Sequence, residues 1–422
     1  MKNKINILLI GIILLTPHHL FAKYKTEFIP SISINETYDD NIDLDSTNEK
    51  SDWITSISPR IALNIFSQKN NFSLNYFPSI VRYKNEDNNN TVRHTGSFRF
   101  NEELLKNLQF NLSDTYIMSE DPLETTEGVV GIRGTRNTYQ RNNWASSINY
   151  IFGPSNSFLL GYSHSWLEND DVTLDDGKIF DPYSKLLYWF NQKHGMELSV
   201  GYTDAEFSRD DNGIPDDDYS GGRSGLRYLY KGNPHTTFSI GYDYTYRNFT
   251  GLNNEEDYMV HEASLGFEKQ ISEDLSYNIS AGYFVQDREY SEDGNGVIFD
   301  SSLTKKMNRG SFSIDAKGGW DEVILEAERR GFTKYQQLGT AFTYNITRDL
   351  INYFSISYRH DKDSINRESR TVRANYGLRW LISRYYSATI DYLRATRDDD
   401  NIDEEYSDNR VMLGIRWSRP YR

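Results

Sequence analysis

The chain has 422 residues, with 46 Lys and Arg against 61 Asp and Glu, a net charge of −15, and no cysteine. An acidic balance argues against a nucleic-acid partner, which needs a basic face, and without thiols there is no disulfide framework, thiolate metal site or thiol nucleophile. A mean hydropathy of −0.70 is too polar for a bundle of membrane helices, yet 31 Tyr and an aromatic share of 14% are too much for a disordered acidic chain.

At the N-terminus, Lys2 and Lys4 precede an apolar run from Ile5 to Leu15, and Leu20-Phe21-Ala22 ends on a small residue. This pattern predicts a secretory signal peptide over residues 1–22. The run is shorter than the roughly 20 residues of a spanning helix, which argues against an uncleaved anchor. Removing residues 1–22 takes away two lysines and no acid, which leaves a net charge of −17.

From Phe28 onward the dominant signal has period two. Met196, Leu198, Val200 and Tyr202 alternate with Glu197, Ser199, Gly201 and Thr203. The pattern returns in Phe238, Ile240, Tyr242, Tyr244 and Tyr246, and again in Leu275, Tyr277, Ile279, Ala281 and Tyr283. Successive strand side chains point to opposite faces, so each segment has one apolar and one polar side.

The connections come in two kinds. Gly153 to Asn156, Lys231 to Pro234, Thr347 to Asp349 and Leu381 to Arg384 are short. Asp39 to Asp52, Ser119 to Arg136, Glu168 to Pro182, Ser208 to Asp218 and Arg394 to Asp408 are long and acidic. Short and long alternate, between about twenty strands of roughly ten residues, the length that crosses a bilayer at a tilt. Soluble sandwiches and propellers also alternate. An export signal, aromatics near strand ends and long loops on one side only point instead to an all-β, transmembrane antiparallel barrel over residues 23–422, with short periplasmic turns and long acidic extracellular loops. Val297 to Lys305 and Ser311 to Lys317 are weak strands, so eighteen strands is the alternative to twenty. The last segment alternates Val411, Leu413, Ile415 and Trp417 with Met412, Gly414 and Arg416, as a closing barrel strand does, although Ser-Arg-Pro-Tyr-Arg follows it.

Twenty strands about 4.8 Å apart, tilted near 40°, make a tube roughly 40 Å across. Side chains cannot fill that width, so either loops fold in or the lumen carries traffic. The first strand begins close behind the cleavage site, so neither an N-terminal plug nor a periplasmic domain is expected.

On this alternation the inward face carries Ser, Thr, Asn and Gly with charges of both signs. Pore-lining candidates are Arg60, Arg99, Arg227, Arg247, Arg359, Arg373, Arg379 and Arg416 against Glu197, Asp243 and Glu262, with Glu268 and Asp391 on the same face. Guanidinium binds carboxylate and phosphate with paired donors, so this wall suits hydrated anionic or sugar-like solutes. The plainer alternative is that the arginines only pair with acids on neighbouring strands.

The long loops concentrate carboxylates, among them Asp39, Asp40, Asp43 and Asp45, and Asp398, Asp399, Asp400, Asp403, Glu404 and Glu405. Such density can bind divalent cations and bridge to lipopolysaccharide phosphates, or simply stay solvated. Asp210-Asp211-Asn212-Gly213-Ile214-Pro215-Asp216 resembles the calcium loops of thrombospondin type 3 repeats, with Asp210, Asn212 and Asp216 as the ligand candidates and Ser208 where a first Asp is expected. No other cofactor is expected. The six histidines after the signal, His94, His164, His194, His235, His261 and His360, stand singly. No nucleophile elbow or phosphate-cradling glycine loop appears, so no enzyme is expected.

Asn35-Glu36-Thr37-Tyr38-Asp39-Asp40-Asn41-Ile42, closing the first strand, and Gly331-Phe332-Thr333-Lys334-Tyr335 with Gly339 resemble stretches of the Putative β-barrel porin 2 family. Its members often accompany exopolysaccharide biosynthesis and export systems in Gram-negative bacteria. The resemblance implies an outer-membrane protein that helps a surface polysaccharide leave the cell, served by periplasmic export proteins, and it implies no catalytic residues. A general diffusion porin, and a surface adhesin or receptor acting through the acidic loops, are the alternatives.

Overall fold

The computed structural model describes residues 24–123, 136–172, 174–208, 218–250, 256–323, 331–364, 366–401 and 404–421. The expected signal peptide and the calcium-loop candidates Asp210, Asn212 and Asp216 lie outside them.

Among the described residues the chain forms twenty strands: β1 Lys25–Asp39, β2 Asp52–Phe66, β3 Asn70–Tyr83, β4 Thr91–Leu105, β5 Leu108–Ser119, β6 Tyr139–Phe152, β7 Asn156–Asn169, β8 Asp176–Trp189, β9 His194–Ser208, β10 Tyr219–Asn233, β11 Thr236–Phe249, β12 Tyr258–Ser272, β13 Leu275–Arg288, β14 Gly294–Met307, β15 Gly310–Val323, β16 Gly331–Asn345, β17 Leu350–Lys362, β18 Glu368–Leu381, β19 Tyr386–Asp399 and β20 Tyr406–Ser418. The two segments with weak patterning are full strands, β14 and β15. All strands join one antiparallel sheet, and β1 closes the ring onto β20 from Ser31 opposite Ser418 to Asp39 opposite Arg410. Closure removes the open edge, whose unpaired N–H and C=O groups lipid cannot satisfy. The tail continues the seam: Phe28 and Tyr421 exchange backbone hydrogen bonds at 2.9 and 2.8 Å, which brings a second aromatic to the end of the last strand.

The turns after even-numbered strands are short because side chains cap them. Ser67 Oγ accepts the N–H groups of Lys69 and Asn70. Asn191 Oδ1 accepts those of Lys193 and His194, and Thr347 Oγ1 those of Asp349 and Leu350. A short polar side chain bonded to the backbone two or three residues on is a turn former in its own right.

Strands are longer than the ten residues expected, for example 15 in β1 and 12 in β5. Two loops are correspondingly shorter than the sequence suggests. Glu168 to Pro182 narrows to 170–175 and Arg394 to Asp408 to 400–405. About ten residues cross hydrocarbon; beyond it the outside of a strand meets water, so both faces can be polar and the alternation fades while the ladder continues. Pro182 lies inside β8, opposite Tyr162 of β7. It has no N–H to give, and the β8–β9 ladder passes from Phe180–Asp204 to Tyr183–Gly201 without pairing Asp181 or Pro182.

The outward face is apolar and exposed, with Ile34, Ile61, Leu160, Val200, Ile240, Leu265, Leu413 and Ile415 among its residues. Histidines on this face meet tyrosine hydroxyls: Tyr76 with His94 Nδ1 at 2.8 Å and Tyr242 with His261 Nδ1 at 2.6 Å. Each such pair satisfies a polar group that lipid would leave bare.

At one place the wall parts. The β14–β15 ladder ends at Phe299–Gly318, whereas β15 and β16 stay paired as far as Val323–Gly331. Gly319, at φ +156°, sits at the departure point, where a Cβ would press on Ile298 Cγ2 at 3.1 Å. Beyond it the hairpin leans into the lumen, and Trp320 stacks on Phe332 with ring centroids 5.1 Å apart.

A roofed polar lumen as the candidate functional site

Partners across each ladder share a face, so register fixes the lumen lining. Arg60 lies opposite Ser31, Arg99 opposite Ser73 and Ser113, Glu197 opposite Arg227 and Asp243 opposite Glu262. Arg373 lies opposite Ser357, Arg379 opposite Thr389 and Arg416 opposite Ser33. Arg247 pairs with Tyr258 and Arg359 with Gln337. All eleven candidates therefore lie on one face, opposite to that of Ile34, Ile61 and Leu265. The structure sorts them into three groups.

The first group is paired along the wall. Lys185 lies 2.7 Å from Glu197, Glu197 lies 3.6 Å from Arg227, and Arg227 lies 4.0 Å from Asp243. The second group holds the outer end together. Arg247 grips Glu322 through Nε at 2.8 Å and Nη2 at 2.9 Å. Glu262 accepts Trp320 Nε1 at 2.5 Å, Arg359 pairs with Asp361 at 2.8 Å, and Arg373 donates to the Leu123 carbonyl at 3.0 Å. The third group, Arg60, Arg99, Arg379 and Arg416, has no carboxylate at ion-pair distance among the described residues.

Among the described residues four clusters of buried apolar side chains form, and all four sit at the outer strand ends. Tyr139, Leu167, Ala205, Phe207 and Tyr219 make one, and Ile42, Ile54, Val81 and Tyr83 another. Leu44, Leu123, Ala395 and Tyr406 make the third, and Tyr258, Val260, Phe284 and Phe332 the fourth. Ile42, Leu44 and Leu123 come from loops, so these loops fold inward and cover part of the mouth. Buried apolar area of this kind is the main stabilising term available to a roof.

The loop between β5 and β6 reaches furthest. From β5 it meets β18 through Leu123 and β20 through Asp121, which lies 3.0 Å from Arg410. Beside it Glu120 accepts Arg93 at 2.5 Å and the Tyr83 hydroxyl at 2.8 Å. Arg136, at the far end of the loop, donates to the Ile42 carbonyl at 2.6 Å and lies 3.5 Å from Asp39. Burial alone would push the Asp121 carboxyl up, but Arg410, Arg93 and Arg136 outweigh it and hold it well below the usual carboxylate range. On the next loop contact, Arg397 ties Asp399 at 2.6 Å and Glu404 at 3.0 Å.

Asp39, Asp40 and Asp408 bring one oxygen each within 4.8 Å of one another. A guanidinium already stands among them, with Arg410 Nε 3.0 Å from Asp39 and 2.8 Å from Asp408. Asp40 spends both oxygens on Asn409. Asp39 and Asp408 are thus engaged by Arg410, and Asp40 by a neutral amide.

Sequence reasoning missed Arg93, Glu120, Asp121, Arg136, Glu322 and Arg410. The available signal was the excess of carboxylates in long loops together with arginines at the outer ends of inward-facing rows.

The sequence profile of the family described as Putative beta-barrel porin 2 matches residues 261–419. That range takes in Gly331–Tyr335 and Gly339 and does not reach Asn35–Ile42. No curated protein matches the chain. Among solved structures the barrel is similar to the alcaligin outer membrane receptor FauA from Bordetella pertussis, at 12% identity and TM-score 0.53 over 93% of this chain and 76% of that one. It is also similar to the FrpB iron transporter from Neisseria meningitidis, at 9% identity and TM-score 0.51 over 92% and 82% of the two chains. The siderophore receptor PirA from Pseudomonas aeruginosa matches at 9% identity and TM-score 0.50 over 93% and 80%. At such identities the likeness speaks for the fold alone. The chain has the β-barrel fold of outer-membrane receptors, and over residues 261–419 it is similar in sequence to a family of β-barrel porins.

Proposed function

We propose that this chain is a channel in the outer membrane of a Gram-negative bacterium, that its lumen passes hydrated, sugar-like solutes, and that its cargo is a secreted polysaccharide. The observation that carries the channel reading is the inner wall: below the roof its rows run through Ser, Thr, Asn, Gly and charged residues, as in Ser31, Ser33 and Asn35 facing Arg60, Ser58 and Ser56. Such a wall offers a hydrated chain donors and acceptors in place of its water. The polysaccharide comes from the family resemblance, and periplasmic proteins would deliver it. Lipopolysaccharide would surround the acidic outer loops, with divalent cations as bridges. No catalytic step is part of the proposal.

A clean deletion tests it, with polysaccharide quantified on the surface and in the periplasm. Surface loss with periplasmic build-up, restored by the intact gene, is the expected result. Unchanged polysaccharide would return the barrel to a general diffusion porin or, if trimming the outer loops abolishes binding to a surface, to an adhesin.

A further inference from the structure

We infer that Arg60, Arg379 and Arg416 form an oxyanion-binding site on the lumen wall, toward its short-turn end. The inference deepens the channel reading and rests on it for access from the lumen. The three residues stand on β2, β18 and β20, which are linked through β1 and β19. Arg416 Nη2 donates to Ser31 Oγ at 3.3 Å, and Ser31 is the register partner of Arg60. Arg60 donates to Asn75 Oδ1 at 2.6 Å, while its Nε is buried without a partner. Arg379 lies over the Tyr353 ring, 6.0 Å from its centroid. Arg416 stands across β1 from Arg60 and across β19 from Arg379, on the same face as both.

Several arginines elsewhere on the wall have their acid: Arg223 has Asp181, Arg227 has Glu197, Arg247 has Glu322; Arg99, on β4, stands without one among the described residues. Here three cations share a sector with one carboxylate, Asp391 on β19, which lies at ion-pair distance from none of them and accepts the Tyr353 hydroxyl. Gathering three like charges around a single counter-charge is unfavourable, and an anion that accepts from two or three guanidinium groups relieves the repulsion while gaining charge-assisted hydrogen bonds. The ligand class is therefore an oxyanion on a hydrated solute: a free phosphate, or the carboxylates of an acidic sugar chain.

The test uses the full-length protein, refolded in detergent and checked for heat-modifiable migration, titrated at low salt with inorganic phosphate and separately with oligogalacturonate. The wild type binds at least one probe. R60Q, R379Q and R416Q each weaken binding roughly tenfold, the triple variant abolishes it, and R370Q, on the outward face, leaves it unchanged. Binding of phosphate alone assigns a small-anion site, and preference for the oligomer assigns an acidic polysaccharide. No binding by either probe to folded wild type, or equal binding by the triple variant, overturns the site. Planar-bilayer currents separate the two readings: binding without any current sinks the channel and leaves the site, whereas current without binding does the reverse.

Discussion

Arg410, near the outer end of β20, holds Asp121 of the β5–β6 loop at 3.0 Å, and in doing so it ties a loop from one part of the wall to a strand in another. Arg410 also touches Asp39 and Asp408, so one guanidinium joins the two seam strands, β1 and β20, to the longest loop. The roof thus rests on charged contacts across the mouth as well as on its buried apolar clusters.

Arg410→Gln is expected to free the β5–β6 loop. Removing one partner of a buried charged contact leaves the others uncompensated and costs about 3–5 kcal/mol. Protease cleavage within residues 120–138 from the outer side should accelerate, and single-channel current should rise. The pH dependence has a definite sign. The Asp121 carboxyl is held below its ordinary value of 3.8, so the contact contributes fully above that value and is lost only as pH falls through the depressed one. Current through the wild type should stay flat from neutral pH down to about pH 5. An opening within that window would mean that another group governs the roof.

The barrel itself was legible because mid-strand segments follow period two closely, as where Leu198 and Val200 face lipid while Glu197 and Ser199 face the lumen. The roof was not legible. Asp121 and Arg410 are far apart in sequence, and nothing local marks a carboxylate as paired rather than solvated. Likewise Arg394 to Asp399 reads as loop because water lies on both sides of the strand there. Trp320 and Phe332 are neighbours on the β15–β16 ladder; the parting of β14 and β15, which nothing local announces, is what brings Trp320 to Glu262 of β12.

Neighbouring residues on β12 test the register directly. Leu265 is exposed on the outward face, near mid-strand, and Ser264 faces the lumen between Gly241 and Gly282. Leu265→Arg places a charge in hydrocarbon and should cost about 2–4 kcal/mol, seen as a lower urea midpoint in lipid vesicles. Ser264→Arg keeps its charge in the lumen and should cost much less, although Arg227 Nε already leans over Gly241 beside it. The opposite order would mean that the register is shifted by one residue and every lumen assignment inverted.

The inward-leaning end of the β15–β16 hairpin hangs on Arg247 and Glu322. Arg247 approaches both Glu322 oxygens, at 2.8 and 2.9 Å, and the Tyr258 hydroxyl donates to the same carboxylate. Glu322→Gln keeps the shape and removes the charge, leaving the buried guanidinium without its counter-ion, so a loss of about 3 kcal/mol is expected. Amide hydrogen exchange in residues 319–323 and 331–335 should quicken while that of the β17–β18 ladder stays unchanged. The double replacement Arg247→Met with Glu322→Leu removes both charges and fills the space, and should recover most of the stability, because the chief cost of the single change is the orphaned charge and not the missing attraction. If the double variant is as unstable as the single one, the pair itself supplies the hairpin's hold. If neither variant alters exchange, the stack of Trp320 on Phe332 holds the hairpin alone.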